Sequence, residues 1–307
     1  MPPGDAALLS APVTAAALDR AAETMPNASG RLWRVETDPP SYLVGTFHVP
    51  VGGIDTPGPL LTHLVGEARG LLVELETDTL DEEFARWSAD PANVVRQDGA
   101  RLTEAMSEDE RAHAAAVLSR YGMPLVVAET LRPMMLIGLL SVPPCAIDAV
   151  SRPGLDARLQ GIARANGVPV TALETVGEQV TALDADPEAS MQILRMMLAQ
   201  SGDDLTTWFT NLALYRTRHI GAMWTYGLAL AADVLGEEEA EALSAVFWNR
   251  IVAARNRRMV ERAAPALAAG GVVIAVGALH LPGEDGLVAL LRAAGFAVVP
   301  MKEPPPR

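Results

Sequence analysis

The run "GVVIAVG", residues 271–277, restricts the possible folds more than any other stretch of the chain. Its β-branched and small apolar residues follow one another without a polar position, so a strand built from them has no face that tolerates water. An antiparallel strand with one wet face would alternate. An uninterrupted run marks the centre of a sheet covered by helices on both sides. Shorter β-rich runs stand at "RLWRVE" (31–36), "SYLVGTF" (41–47), "LLVELE" (71–76), "VPVTAL" (168–173) and "FAVVPM" (296–301). The first two are joined by "TDPP", a turn signal, which predicts a hairpin. Helical patterns separate the rest, so the expected class is α/β with a central mixed β-sheet.

The middle of the chain, residues 102–264, reads as a large, mostly helical section interrupted by the strand at Val168. "TVGEQV" fits a capping box with Thr175 at the N-cap and Glu178 three residues on. Asp156 in "RPGLDARL" reads as a helix start. A long helix is expected from Glu237 to Ala264, stopped near Pro265 and "AAGG". The chain thus divides into an N-terminal segment 1–30, one α/β domain 31–301 and a frayed tail 302–307.

Two corners carry the candidate chemistry. "GTFH" and "GALH" each place a histidine three residues after the glycine that closes a buried strand, giving His48 and His280. In open α/β sheets ligands bind at the carboxyl ends of strands. The strand "LLVELE" adds Glu74, which shares a face with Leu72, while Glu76 lies nearer the strand end and is more easily solvated. A carboxylate inside an apolar run needs a cation, a metal or a proton. Two histidines and a carboxylate suit zinc, manganese, iron or cobalt. They equally suit metal-free acid–base work on a water, and each histidine singly can be a loop cap.

On the helix around "RNRRM", Val252, Ala253, Asn256, Met259 and Val260 form an apolar stripe, so Asn256 points inward and its amide needs partners. Arg255 flanks the stripe and requires a carboxylate or an anionic transition state. An Arg–Glu bridge tying helix to sheet is the structural alternative. Arg257 and Arg258 are expected to face water. His63, His113 and His219 lie in helical patterns without partners, as filler. "GEDG" after His280 carries two acids and is a poor anion loop. Cys145 in "SVPPCAI" reads as a buried, inert thiol.

The formal net charge of −14 disfavours nucleic acid and anionic lipid as partners. No apolar run approaches the length of a membrane helix. The N-terminus has no basic start and carries Asp5, a poor match to an export signal. No P-loop, Rossmann fingerprint, G-x-S-x-G or H-E-x-x-H is present.

Taken in order, "LWRVE", "PPSYLVGTFH", "LLVEL", "GLDARLQGIARANGVPVTALETVGEQ", "RNRRM" and "VVIAVGALHLPGEDGLVALLRAAGFAVV" resemble the TraB/GumN family, which includes the Tiki-type metalloproteases and is distantly related to erythromycin esterases and ChaN-like proteins. The resemblance covers nearly the whole chain. It implies an erythromycin-esterase/ChaN-like α/β fold and a metal-dependent hydrolase, most nearly a peptidase acting on a peptide or other small substrate. His48, Glu74 and His280 would hold a divalent metal (Mn, Co or Zn), with Glu74, Arg255 and Asn256 as catalytic residues and Glu174 behind them. It also implies an extracytoplasmic, periplasmic location, although the N-terminus shows no clear signal peptide; a cytoplasmic location is the alternative. A non-catalytic peptide- or haem-binding protein and a metal-free esterase-like hydrolase are the alternative functions.

Overall fold

The computed structural model describes residues 4–302 apart from 51, 52, 105, 151, 185, 202 and 203. The predicted tail therefore lies, from residue 303 on, outside the described residues. The strands are β1 (Leu32–Val35), β2 (Ser41–Thr46), β3 (Gly70–Val73), β4 (Val170–Ala172), β5 (Val272–Gly277) and β6 (Val298–Pro300). They form one sheet in the order β4-β3-β5-β2-β1-β6. β4, β3, β5 and β2 run parallel; β1 is antiparallel to both β2 and β6. The α/β class, the mixed sheet and the β1–β2 hairpin are as the sequence predicts.

The two-sided burial of β5 follows from its composition. Val272, Ile274 and Val276 face a core under the helices Ala254–Ala269 and Leu287–Ala293, with Met259, Leu267 and Leu291. Val273 and Ala275 face the other, under Pro59–Gly66 and Leu155–Ala165, with Val65, Leu159 and Ala163. The helical middle builds a further core around Leu118, Leu136 and Leu194. The N-terminal segment packs its helix Pro12–Thr24 against Ile220–Leu235, where buried Thr225 donates to the Ala17 carbonyl at 2.6 Å.

Several local expectations need correction. "LLVELE" is a strand only to Val73; Glu74 and Glu76 lie past its end, because the Glu74 side chain is drawn into a polar cluster. The helix expected to stop near Pro265 runs through it to Ala269. Pro265 and Glu261, the residue whose carbonyl loses its partner, are both on the exposed face, where water substitutes. Upstream, the helix Glu237–Trp248 does not continue smoothly into it: a π turn, Asn249–Ala253, intervenes. Cys145 is exposed, since its 3₁₀ turn Pro144–Ala146 buries Ala146 in its place. The capping box is formed: Glu178 accepts from the Thr175 N–H at 2.9 Å, and Thr175 Oγ1 accepts from the Glu178 N–H at 3.2 Å. Arg262 bonds the same carboxylate at 2.5 and 2.8 Å, clamping the helix Val176–Asp184 to Ala254–Ala269.

Gly270 ends the helix Ala254–Ala269 with φ +70°, and a Cβ there would lie 2.5 Å from the Pro39 carbonyl oxygen. Gly167 has the same φ with open space around it. Gly167→Ala should cost about 1 kcal/mol, the left-handed penalty alone. Gly270→Ala should cost several-fold more in a denaturant titration, because ψ 169° puts this position in a region essentially reserved for glycine and the Pro39 contact adds to that; equal losses would mean that neither exerts a constraint.

Candidate active site

The parallel arrangement sends β2, β3 and β5 out of the sheet on one edge, and each is followed by a candidate residue: His48, Glu74 and His280. In register, Val73 pairs with Ala275 and Thr46 with Gly277, so the three strands end within two residues of one another.

Glu74 is the centre. Its side chain is 10% exposed. Oε2 accepts from Arg255 Nη2 at 2.6 Å and from Gln179 Nε2 at 2.9 Å, and Oε1 accepts from the Gly277 N–H at 2.5 Å. His280 Nε2 stands 3.7 Å from Oε1. Burial by itself would raise this carboxyl; His280, Arg255, His48 and the Gly277 N–H outweigh it and hold the group down at about 2.

Arg255 is shared. Its Nε and Nη2 grip fully buried Glu174 at 2.9 and 2.6 Å, while Nη1 donates to the Ile251 carbonyl inside the π turn at 3.2 Å. π turns inside α-helices recur at functional sites. The Arg–Glu bridge between helix and sheet is thus present. Arg257 faces water as predicted and pairs with Asp285, whereas Arg258 departs from the prediction by reaching Glu174 at 3.4 Å. The reason is geometric: Glu174 leaves β4 toward this helix, and residues 255 and 258 are one turn apart.

Asn256 settles the tautomer of His280. Its Nδ2 donates to the carbonyls of Asp285 at 2.7 Å and His280 at 3.1 Å. Oδ1 can therefore only accept, and at 2.6 Å from His280 Nδ1 it requires that nitrogen to carry the proton. Nε2 is left bare toward Glu74. Burial pushes the His280 imidazole down to about 4, so it is neutral at physiological pH.

His48 is held differently. Its Nδ1 lies 3.0 Å from Asp156 Oδ2, and the other Asp156 oxygen accepts from Thr46 Oγ1 at 2.5 Å. The attraction of Asp156 raises this imidazole above its ordinary value. The ring is 62% exposed, so solvent screens the pair and its main effect is to orient the ring. Asp156 does sit in the first turn of Leu155–Ala165, where the helix dipole favours an anion, but its carboxylate is spent on the loop. Gly154 makes that possible: a Cβ there would fall 2.1 Å from the His48 carbonyl oxygen.

The glycines of the two corners answer to each other. A Cβ on Gly45 would strike Leu281 Cδ1 at 2.7 Å and Ala278 Cα at 3.0 Å, so the first corner yields space to the second. A Cβ on Gly277 would lie 3.0 Å from His48 Nε2 and 3.1 Å from Glu74 Oε1. Gly277 has φ −51°, open to any residue, so space and not backbone conformation demands glycine here. Above the site opens a cleft of about 320 Å³ lined by His48, Glu74, Asp156, Gln160 and Gln179 with Val73, Leu80 and Pro153.

Every residue proposed from sequence (His48, Glu74, Arg255, Asn256, His280 and, behind them, Glu174) falls in this one cluster. His63, His113 and His219 do not: His113 bonds the Leu198 carbonyl and His219 its neighbour Thr217. Sequence reasoning missed Asp156 as the holder of His48, and missed Gln179 and Gln160. Asp156 had a usable signal, a carboxylate two residues after "PG" at the start of a helix. Gln160 had none; it caps the turn after Glu74 by accepting from the Thr77 N–H and donating to the Leu75 carbonyl.

A family model described as TraB/PrgY/gumN family matches residues 31–300. The chain belongs to this family. It is also similar to two proteins named Uncharacterized protein YbaP, from Shigella flexneri and from Escherichia coli strain K12. Identity is 27% to each, over 82% of this chain and 88% and 87% of theirs. No solved structure matches. The matched residues 31–300 of this chain take in both corners, Glu74 and the Arg255–Asn256 pair.

Gly277→Ala should displace the His48 ring outward while leaving β5 in place, since the ring is the exposed, movable neighbour. The expected result is a loss of at most about 1 kcal/mol of stability, within the range of mild substitutions, with the His48 ring relocated in a crystal structure of the variant. A ring that stays beside Glu74 would show that Gly277 does not set this space.

Proposed function

We propose that this protein is a hydrolase, most nearly a peptidase, whose His48, Glu74 and His280 hold a divalent cation beneath the cleft. The observation that carries the reading is the pair of imidazoles fixed through Nδ1, by Asp156 and by Asn256, with both Nε2 atoms turned toward the Glu74–Gly277 corner. Outer hydrogen bonds of this kind are how proteins orient metal-binding histidines. The donor set suits Mn, Co or Zn. Among the described residues no group of three or more His, Cys, Asp or Glu side chains stands ready to hold a metal ion, so the reading rests on the orientation of the two imidazoles alone.

The proton affinities of Glu74 and His280 favour a cation over metal-free catalysis. A general base works best with a pKa near the operating pH. Glu74, held at about 2, and His280, pushed down to about 4, are both weak bases at neutrality. A bound cation supplies what they lack by lowering the pKa of water. The protein residues then orient and bind. Glu74, locked by Arg255, Gln179 and the Gly277 N–H, stays ionised and cannot rotate. Arg255 stabilises that charge, and Asn256 keeps His280 in the Nδ1–H tautomer. The cleft walls of Val73, Leu80 and Pro153 seat an apolar part of a substrate.

The test is metal-stripped protein dialysed against Mn, Co or Zn, with bound metal and peptide cleavage measured together. About one ion per chain is expected, lost in His280→Ala, with affinity about 10–100-fold weaker in Asp156→Asn. Affinity should rise with pH, because a cation on His48 must displace the proton that Asp156 helps to hold. Cleavage undiminished in chelator would replace this reading with metal-free hydrolysis. Absence of both metal and cleavage, with peptide bound, would leave a sequestering protein.

A further inference from the structure

The cleft carries one charged group that nothing in the site uses. Arg152 lines its rim, exposed, and its recorded polar contact is a long one, Nη2 to the Pro50 carbonyl at 3.4 Å. Among the described residues it has no ion pair. The nearby acids are committed elsewhere. Asp156 serves His48 and Thr46, Asp55 pairs with Arg158 at 2.7 Å, and Glu74 is saturated by Arg255, Gln179 and Gly277. What remains at the rim is a guanidinium with most of its five N–H donors unspent, a group shaped for a carboxylate.

Its position relative to the site is fixed by backbone contact. Gly154, two residues on, lies against the His48 carbonyl, and Pro50, two residues beyond His48, receives the Arg152 bond. A carboxylate held by Arg152 therefore sits on the His48 side of the cleft, over the side chains proposed to do chemistry.

We propose that Arg152 selects substrates bearing a carboxylate next to the reacting bond, supplied by a peptide C-terminus or by an acidic side chain. The inference rests on the peptidase reading for its substrate class, and binding tests it separately from cleavage. Isothermal titration of the metal-free full chain would use four peptides. One pair is acetylated pentaalanine with a free or an amidated C-terminus. The other is acetyl-Ala-Ala-Glu-Ala-Ala-amide and its Gln counterpart.

Wild type should favour the carboxylate member of one pair by about 2–5-fold, the scale of an exposed ion pair, and the favoured pair identifies the source. Arg152→Gln should abolish the preference without moving the melting temperature, and Arg152→Lys should restore part of it. Raised salt should weaken it as well. A preference that survives in Arg152→Gln, or no binding of any of the four, overturns the proposal. Carboxylate-selective binding without cleavage on metal addition would remove the hydrolase reading and leave the Arg152 site standing. Cleavage of both members of each pair at equal rates would do the opposite.

Discussion

A single guanidinium held between two buried carboxylates organises this protein. Arg255 meets Glu74 at the end of β3 and Glu174 at the end of β4, and it is itself carried by the helix that covers the sheet. Taking three charges out of water is expensive, and the arrangement is tolerated only because nearly every donor and acceptor is used. Arg255 bonds both acids and the Ile251 carbonyl; Glu74 has the Gly277 N–H and Gln179 besides. Losing one partner of such a set typically costs about 3–5 kcal/mol, because the others are left charged and dry. The same bonds that hold helix to sheet therefore fix the carboxylate over which the cleft opens. Fold and site cannot be varied independently at this point.

Much of this was legible in the sequence, for physical reasons that differ by residue. The unbroken apolar run of β5 could only be a doubly covered strand. Glu74 followed from the cost of a carboxylate in an apolar stretch, and Asn256 from an amide on an apolar helical stripe. These are one-body arguments: a residue contradicts its own surroundings. What escaped were pairings. That Asp156 would spend its carboxylate on His48, and that Gln179 would reach Glu74, depend on how two elements meet, which no local pattern encodes. The π turn before Arg255 escaped for a related reason, since its residues "NRIVA" continue a good helical pattern. The overrun of Pro265 is simpler: proline stops a helix where its missing donor is buried, and here it faces solvent.

The two G-x-x-H corners look like repeats, yet the fold makes them unequal. Gly45 gives way so that the turn at Ala278 and Leu281 can approach, and Gly277 gives way so that His48 and Glu74 can. His48 ends on an exposed loop with a carboxylate behind it; His280 ends in the interior with an amide behind it. The choice of partner matches the setting. A carboxylate behind the buried ring would have placed another charge beside Glu74 and Glu174, which Arg255 already serves together, with Arg258 reaching Glu174 from further off. Asn256 orients the ring equally well and adds no charge, so His280 remains neutral with Nε2 bare. At the rim, where water screens, Asp156 can make His48 more basic at little cost to the fold. One histidine is thereby kept neutral and fixed, and the other holds its proton more firmly. That division of roles follows from burial and from the identity of one oxygen-bearing neighbour in each case.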